Sequence, residues 1–129
     1  MADTSVVKDG LRYTADHEWI SVEGGSARVG ITDHAQSELT EIVFIELPKQ
    51  GKKVKKGDVL AQLESVKTVA SVYAPVSGEV VEVNSVLEDQ TQLINESPYD
   101  NGWLAVIKMD DPSAADALMD AAAYRRSLG

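Results

Sequence analysis

Val59-Leu60-Ala61-Gln62-Leu63-Glu64-Ser65-Val66-Lys67-Thr68-Val69-Ala70-Ser71-Val72-Tyr73 decides how this chain is read. Val59–Glu64 and Val69–Tyr73 are β-patterned arms, and the few residues between them predict a tight hairpin with Lys67 at its tip. A lysine held there is within reach of a modifying enzyme. Its amine, with an ordinary pKa of about 10.4, becomes a nucleophile once deprotonated and forms an amide with a carboxylic-acid cofactor. The chain has no cysteine, so any thiol chemistry it performs comes from an attached group. Lysine is at home on any surface, and its context here is what singles it out. Val54-Lys55-Lys56-Gly57-Asp58-Val59 precedes the hairpin and Ala74-Pro75-Val76-Ser77-Gly78-Glu79-Val80 follows it, so two Gly-turn-strand units flank Lys67 almost as mirror halves.

Working outward, Leu11–Thr14 predicts a short strand. Trp19–Glu23 and Ser26–Ile31 flank Gly24-Gly25, a link able to take the positive φ angles of a hairpin turn. Asp33–Leu39 predicts one or two helical turns capped by Thr32 or Asp33, with Ala35 and Leu39 on one face. Ile42–Leu47 is an apolar, β-branched strand stopped by Pro48. Pro75 and Gly78 make the next turn. In Glu79–Asn84, Val81 and Val83 are expected on one face and Glu82 on the other. A polar loop then leads to a last strand, Trp103–Lys108. Ser113-Ala114-Ala115-Asp116, after Pro112, reads as the capping start of one terminal helix carrying Leu118, Ala121, Ala122, Arg125 and Leu128. Asp116 and Asp120 near its start and Arg125 and Arg126 near its end match the helix dipole. Frequent short strands predict a mainly β sandwich or flattened barrel, with a short internal helix and a C-terminal helix. No linker interrupts the chain, so residues 1–129 are expected to form one domain.

The bulk numbers narrow the function classes. A chain of 129 residues, 43% apolar and 26% charged, has the make-up of an ordinary globular domain with one core. No apolar run approaches the ~20 residues of a membrane-spanning helix, and no secretory h-region opens the chain. A net charge of −9 argues against nucleic acid or an anionic membrane as partner and suits docking to basic clefts. Five of the twelve basic residues, Lys49, Lys52, Lys53, Lys55 and Lys56, crowd into one Gly-punctuated stretch, read as a solvated loop and strand edge. His17 and His34 lack the spacing of a helix-borne metal pair, and no thiol completes a site, so no metal is expected. Neither belongs to a nucleophile–base arrangement. Trp19, Phe44 and Trp103 read as core anchors. No stretch has the glycine spacing of a phosphate-binding loop.

Several ordered motifs together resemble the H-protein family of the glycine cleavage system, its lipoyl carriers. They are Tyr13-Thr14-Ala15-Asp16-His17-Glu18-Trp19, Gly30-Ile31-Thr32-Asp33-His34-Ala35-Gln36, Glu46-Leu47-Pro48, Glu64-Ser65-Val66-Lys67, Tyr73–Val83 and Ser97-Pro98-Tyr99-Asp100-Asn101-Gly102-Trp103. Biotin carriers usually flank their lysine with methionines. Here the neighbours are Val66 and Thr68.

The resemblance implies a flattened barrel or sandwich hybrid of the biotinyl/lipoyl-carrier type and a lipoyl amide on Lys67. It also implies a cycle. A glycine-decarboxylating P protein loads an aminomethyl group, a T protein passes that unit to tetrahydrofolate, and an L protein re-oxidises the arm. The chain is then a shuttle with no catalytic residue of its own. Glu64, three residues before the lysine, is implied as a mark read by lipoate-attaching enzymes. A surface cleft would hold the loaded arm, with Glu18 as its charged partner and Asp16 and Ser71 close by.

The chain departs from the family at Thr40, where glycine usually precedes an acid, at Ser71, where an acid is common, and at Thr91, which replaces a frequent proline. Other readings are an H-like carrier for lipoate or octanoate relay or another lipoyl-dependent pathway, a small enzyme, and a purely structural β module. Met1-Ala2-Asp3, without a basic, Ser-rich presequence, points to the cytoplasm; a mitochondrial matrix chain after presequence removal reads alike.

Overall fold

The computed structural model describes residues 4–128; Met1–Asp3, which carry the compartment expectation, lie outside them. The strands are β1 (Arg12–Tyr13), β2 (Glu18–Glu23), β3 (Ser26–Ile31), β4 (Ile42–Glu46), β5 (Lys53–Val54), β6 (Val59–Ser65), β7 (Val69–Tyr73), β8 (Gly78–Val83) and β9 (Ala105–Met109). Helices α1 (Asp33–Leu39), α2 (Gln92–Glu96) and α3 (Ala121–Leu128) and two 3-10 turns complete the described chain. The strands form two antiparallel sheets, ordered β1-β2-β3-β9-β8-β5 and β4-β6-β7. They do not close into a barrel, so the sandwich half of the expected hybrid is the accurate one.

Three apolar clusters hold the layers together. Ile20, Val29, Val80 and Ile107 of the larger sheet pack with Leu60, Ala74 and Val76. Ile42, Ile45, Leu63 and Val72 of the smaller sheet pack with Ile31, Leu87, Ile94 and Leu104, and Ala35 and Leu39 of α1 lean on this group. Tyr13, Trp19 and Tyr124 make the third, in which the Tyr13 and Tyr124 rings stack at 4.4 Å.

Helix α1 matches its expected bounds, and Thr32 caps it by accepting from the Ala35 N–H at 3.2 Å. Several other elements differ from the sequence reading, each for a local reason. The expected terminal helix is two pieces, a 3-10 turn at Pro112–Ala117 and α3 from Ala121. Asp111 caps the first piece, and Leu118 turns extended because the backbone at Met119 pairs with Tyr13. Asp120 then caps α3 through the Ala123 N–H at 2.8 Å.

The loop after β8 is not featureless. It contains a 3-10 turn at Ser85–Glu88 and α2, whose Leu87 and Ile94 are core residues that polar neighbours hid from a periodicity reading. A register shift between Val80 and Glu82 makes Val81 the extra residue of a bulge, so Val80 and Val83, not Val81 and Val83, turn to the core. Gly78 opens β8 instead of making the turn before it. A Cβ there would stand 2.1 Å from the Lys108 carbonyl, so its missing side chain admits a neighbouring strand. Trp103 precedes the last strand and is half-buried, with the Arg28 guanidinium 5.0 Å above its ring.

Thr40 ends α1 at φ +65° and ψ −147°, a region natural to glycine and costly for a β-branched residue. Its N–H donates to the Gln36 carbonyl and its own carbonyl accepts from Asn95 Nδ2, so the backbone is pinned there from both sides. The Thr40 side chain is exposed, and its hydroxyl donates to the carbonyl of the preceding residue, Leu39. Thr40→Gly should therefore raise the unfolding free energy by about 1 kcal/mol, read from the midpoint of urea denaturation at unchanged slope.

Candidate functional site: a lysine hairpin and an adjoining cleft

Strands β6 and β7 pair from Val59↔Tyr73 to Glu64↔Val69, leaving Lys67 in the connection at their end. Ser65, 6% exposed, builds this tip. Its N–H donates to the Thr68 carbonyl at 2.8 Å and its hydroxyl to the same oxygen at 3.2 Å. The Ser65 Oγ also accepts from the N–H groups of Lys67, at 3.3 Å, and Thr68, at 3.1 Å. One buried hydroxyl thus satisfies the turn's backbone while the Lys67 side chain stands in solvent. The Val66 N–H donates to the Glu41 carbonyl at 3.1 Å, tying the tip to the segment that leaves α1. The backbone under the lysine is fixed and its side chain is free to move.

A cleft of about 190 Å³ opens beside the hairpin. Ile31, Ala35, Leu39, Leu63, Ala70 and Val72 make it apolar, and Asp16, His17, Glu18, His34, Glu38 and Ser71 supply its polar groups. Ala70 is the second residue of β7, beside the turn that bears Lys67, and Tyr73 ends the strand ~13 Å from Val69. Leu39, Leu63 and Ala70 wall the cleft on the lysine side, with Glu38 of α1 beside them. The polar groups of the β1–β2 connection lie at the far end.

Glu18 sits at that far end and is 2% exposed. Its Oε2 accepts from the Tyr73 N–H at 2.8 Å and its Oε1 from the Thr14 hydroxyl at 2.8 Å. The carboxylate therefore ties the two sheets together at the same point where it lines the cleft. Burial pushes its pKa above the ordinary 4.5, against the lowering pull of the Tyr73 and Thr14 hydrogen bonds, with neighbouring Asp16 adding a smaller upward push. Asp16 is exposed at the rim, and Ser71 is half-buried in the wall. Glu64 pairs with Phe44 and Val69 on the exposed face of the small sheet and does not line the cleft.

The cleft thus gathers Asp16, Glu18 and Ser71, all singled out in the sequence. It adds His17 and His34, whose rings approach to 4.4 Å although 17 positions separate them in the chain. His17 sits at φ +68°, and its Nδ1 lies 2.8 Å from the Tyr124 hydroxyl, which lies 2.9 Å from Thr32 Oγ1. Helix α3 is thereby fastened behind the cleft. Nothing in the spacing of these residues announces the contact, which depends on tertiary packing alone. Among the described residues no group of three or more His, Asp or Glu is placed to hold a metal ion.

Glu18 also gives a pH signature. A carboxyl whose native pKa lies above its unfolded value favours the fold when protonated. That contribution is full below pH about 4.5 and is lost as pH rises through the raised native value. Relative to the parent, Glu18→Gln should thus gain stability as pH climbs from 4.5 toward 7, seen as converging or crossing denaturation midpoints.

Comparison with known proteins places this geometry in context. The family model described as "Glycine cleavage H-protein" matches residues 11–129. The chain is 53% identical over 123 residues to "Glycine cleavage system H protein 4" of Aquifex aeolicus, covering 95% of this chain and 72% of that protein. It is 56% identical over 127 residues to the "Probable glycine cleavage system H protein" of Thermococcus gammatolerans, covering 95% and 92%. The crystal structure of a glycine cleavage system H protein from Mycobacterium marinum superposes with a TM-score of 0.86 at 38% identity, covering 94% of this chain and 98% of that one. The chain belongs to the glycine cleavage H-protein family.

Proposed function

We propose that Lys67 is the point at which lipoate is attached, that residues 1–129 act as one lipoyl-carrier domain, and that the protein works in the cytoplasm. As a member of its family the chain is a non-catalytic carrier with covalently bound lipoate. It serves glycine cleavage by carrying the aminomethyl group from the P protein to the T protein and the dihydrolipoyl arm to the L protein. No helix among the described residues is long and apolar enough to cross a membrane.

The observation that carries the Lys67 assignment is the turn itself. Its backbone donors are spent on Ser65 and Glu41, and the exposed amine is left to react. The attached group supplies a disulfide that accepts a one-carbon unit with two electrons and is later restored by oxidation. Everything else falls to the protein. The cleft fits such a group, because apolar side chains wall it beside β7 and polar groups of the β1–β2 connection line it too.

Leu63, Ala70 and Val72 offer a dry wall for the apolar stretch of the arm. Asp16 and Glu18 put negative charge where an ammonium would arrive, and Ser71 adds a hydroxyl. Each Glu18 oxygen already accepts one hydrogen bond and keeps a second lone pair for a guest. Its position is therefore set before any guest enters. Glu64, standing beside the hairpin on the solvent face, is the carboxylate an attaching enzyme would meet first.

Lys67→Arg tests the assignment directly. Arginine keeps the charge and the exposure but is not deprotonated in proteins, so the amide does not form. The variant should keep the parent's unfolding midpoint, acquire no lipoyl mass when co-expressed with a lipoylation system, and support no glycine–bicarbonate exchange with the P protein. Exchange at the parental rate would contradict the assignment.

A further inference from the structure

Phe44 is the aromatic residue that the sequence assigns to the core and the structure turns outward. Strand β4 pairs Ile42 with Ser65, Phe44 with Glu64 and Ile45 with Leu63, so Val43 is the extra residue of a bulge. Ile42 and Ile45 both face inward as a result, and Phe44, between them, points to solvent at 56% exposure.

Glu64 pairs on its other side with Val69, so Phe44, Glu64 and Val69 stand in one row across the outer face of the small sheet. Val69, 60% exposed, and Val66, 64% exposed, bracket Lys67 in the chain. Exposed Glu41 and Glu46, just before and at the end of β4, rim the patch with further carboxylates. None of these residues lines the cleft.

We propose that this row is the docking surface for the enzyme that attaches lipoate, an inference that rests on Lys67 being the attachment point. Phe44 seats in an apolar pocket of that enzyme, and Glu41, Glu46 and Glu64 meet basic side chains around it. Distance selects the occupant. Neighbouring strands are ~4.8 Å apart, so Phe44 lies ~10 Å from Val69, which is two residues from Lys67. The attaching enzyme works on a bare lysine, so its surface must come within one side chain's length of the hairpin backbone. Enzymes that use the finished arm meet it on a longer tether and need not cover the row.

In the step itself, the Lys67 Nζ gives a proton to solvent and attacks the acyl carbonyl of the lipoyl adenylate made from lipoic acid and ATP. The C–N bond forms as the C–O bond to phosphate breaks, and AMP leaves with the electron pair.

The experiment uses the full-length unmodified protein with a lipoate–protein ligase, lipoic acid and ATP, and follows the initial rate by intact mass. Phe44→Ala should lower kcat/KM for the carrier about tenfold or more, mainly through KM, while Phe44→Leu stays near the parent. Both variants should keep the parent's unfolding midpoint, since the side chain is exposed. After excess ligase has brought parent and Phe44→Ala to full modification, their glycine–bicarbonate exchange with the P protein should agree within about twofold. Attachment to Phe44→Ala at the parental rate would overturn the proposal. An equal loss in the exchange assay would overturn the choice of occupant. A parent that takes up no lipoyl group at Lys67 would instead remove the attachment-point assignment, and the docking surface with it.

Discussion

The hydroxyl of Ser65 is the contact on which the working end of this protein depends. In an ordinary two-residue hairpin the closing residues exchange backbone hydrogen bonds. Here the Thr68 N–H goes to the Ser65 side chain, as does that of Lys67, while the Ser65 N–H and hydroxyl share the Thr68 carbonyl. The turn therefore needs neither glycine nor proline, and Val66 and Lys67 are free to be chosen for what they present. Removing that hydroxyl would take from the Lys67 and Thr68 N–H groups the acceptor they share, each hydrogen bond being worth about 0.5–1.5 kcal/mol. A carrier gains from this division between a stiff base and a mobile arm, because the group it bears has to visit several active sites from one fixed root.

The cleft obeys a second constraint, that a buried carboxylate must be hydrogen-bonded before it is of use to a ligand. Glu18 meets it by joining the β1–β2 connection to β7 through Thr14 and the Tyr73 N–H. The same residue links the two sheets and charges the end of the cleft. Behind it the chain from His17 through Tyr124 to Thr32 holds α3 against the back of the site, with the Tyr13 and Tyr124 rings stacked beneath. The terminal helix thus supports the cleft without lining it.

Much of this was legible in the sequence, and what was not has definable causes. Strands β3 and β7 and helix α1 follow from alternation, capping and turn residues that act within a few positions, and their bounds agree. The bulges at Val43 and Val81 were invisible because one inserted residue reverses every later side chain, and no residue type marks the insertion. That is why Phe44 read as core. Gly78 looked like a turn glycine because a close backbone approach and a tight turn ask for the same residue. The terminal helix was read too long since its apolar spacing continues through Leu118, where pairing of Met119 with Tyr13 overrides helical preference. Of the site, Lys67 was named from its hairpin, and Asp16, Glu18 and Ser71 from resemblance. His17 and His34 were read only as lacking the spacing of a helix-borne metal pair, and the packing of α1 against the β1–β2 connection brings their rings together.

The carrier reading is tested most directly by the intact mass of the protein purified from its native cells, followed by peptide mapping of the segment that contains Lys67. The account predicts one lipoyl adduct per chain, located on Lys67. An unmodified Lys67 in cells with a competent lipoylation system, or an adduct on another lysine, would contradict it.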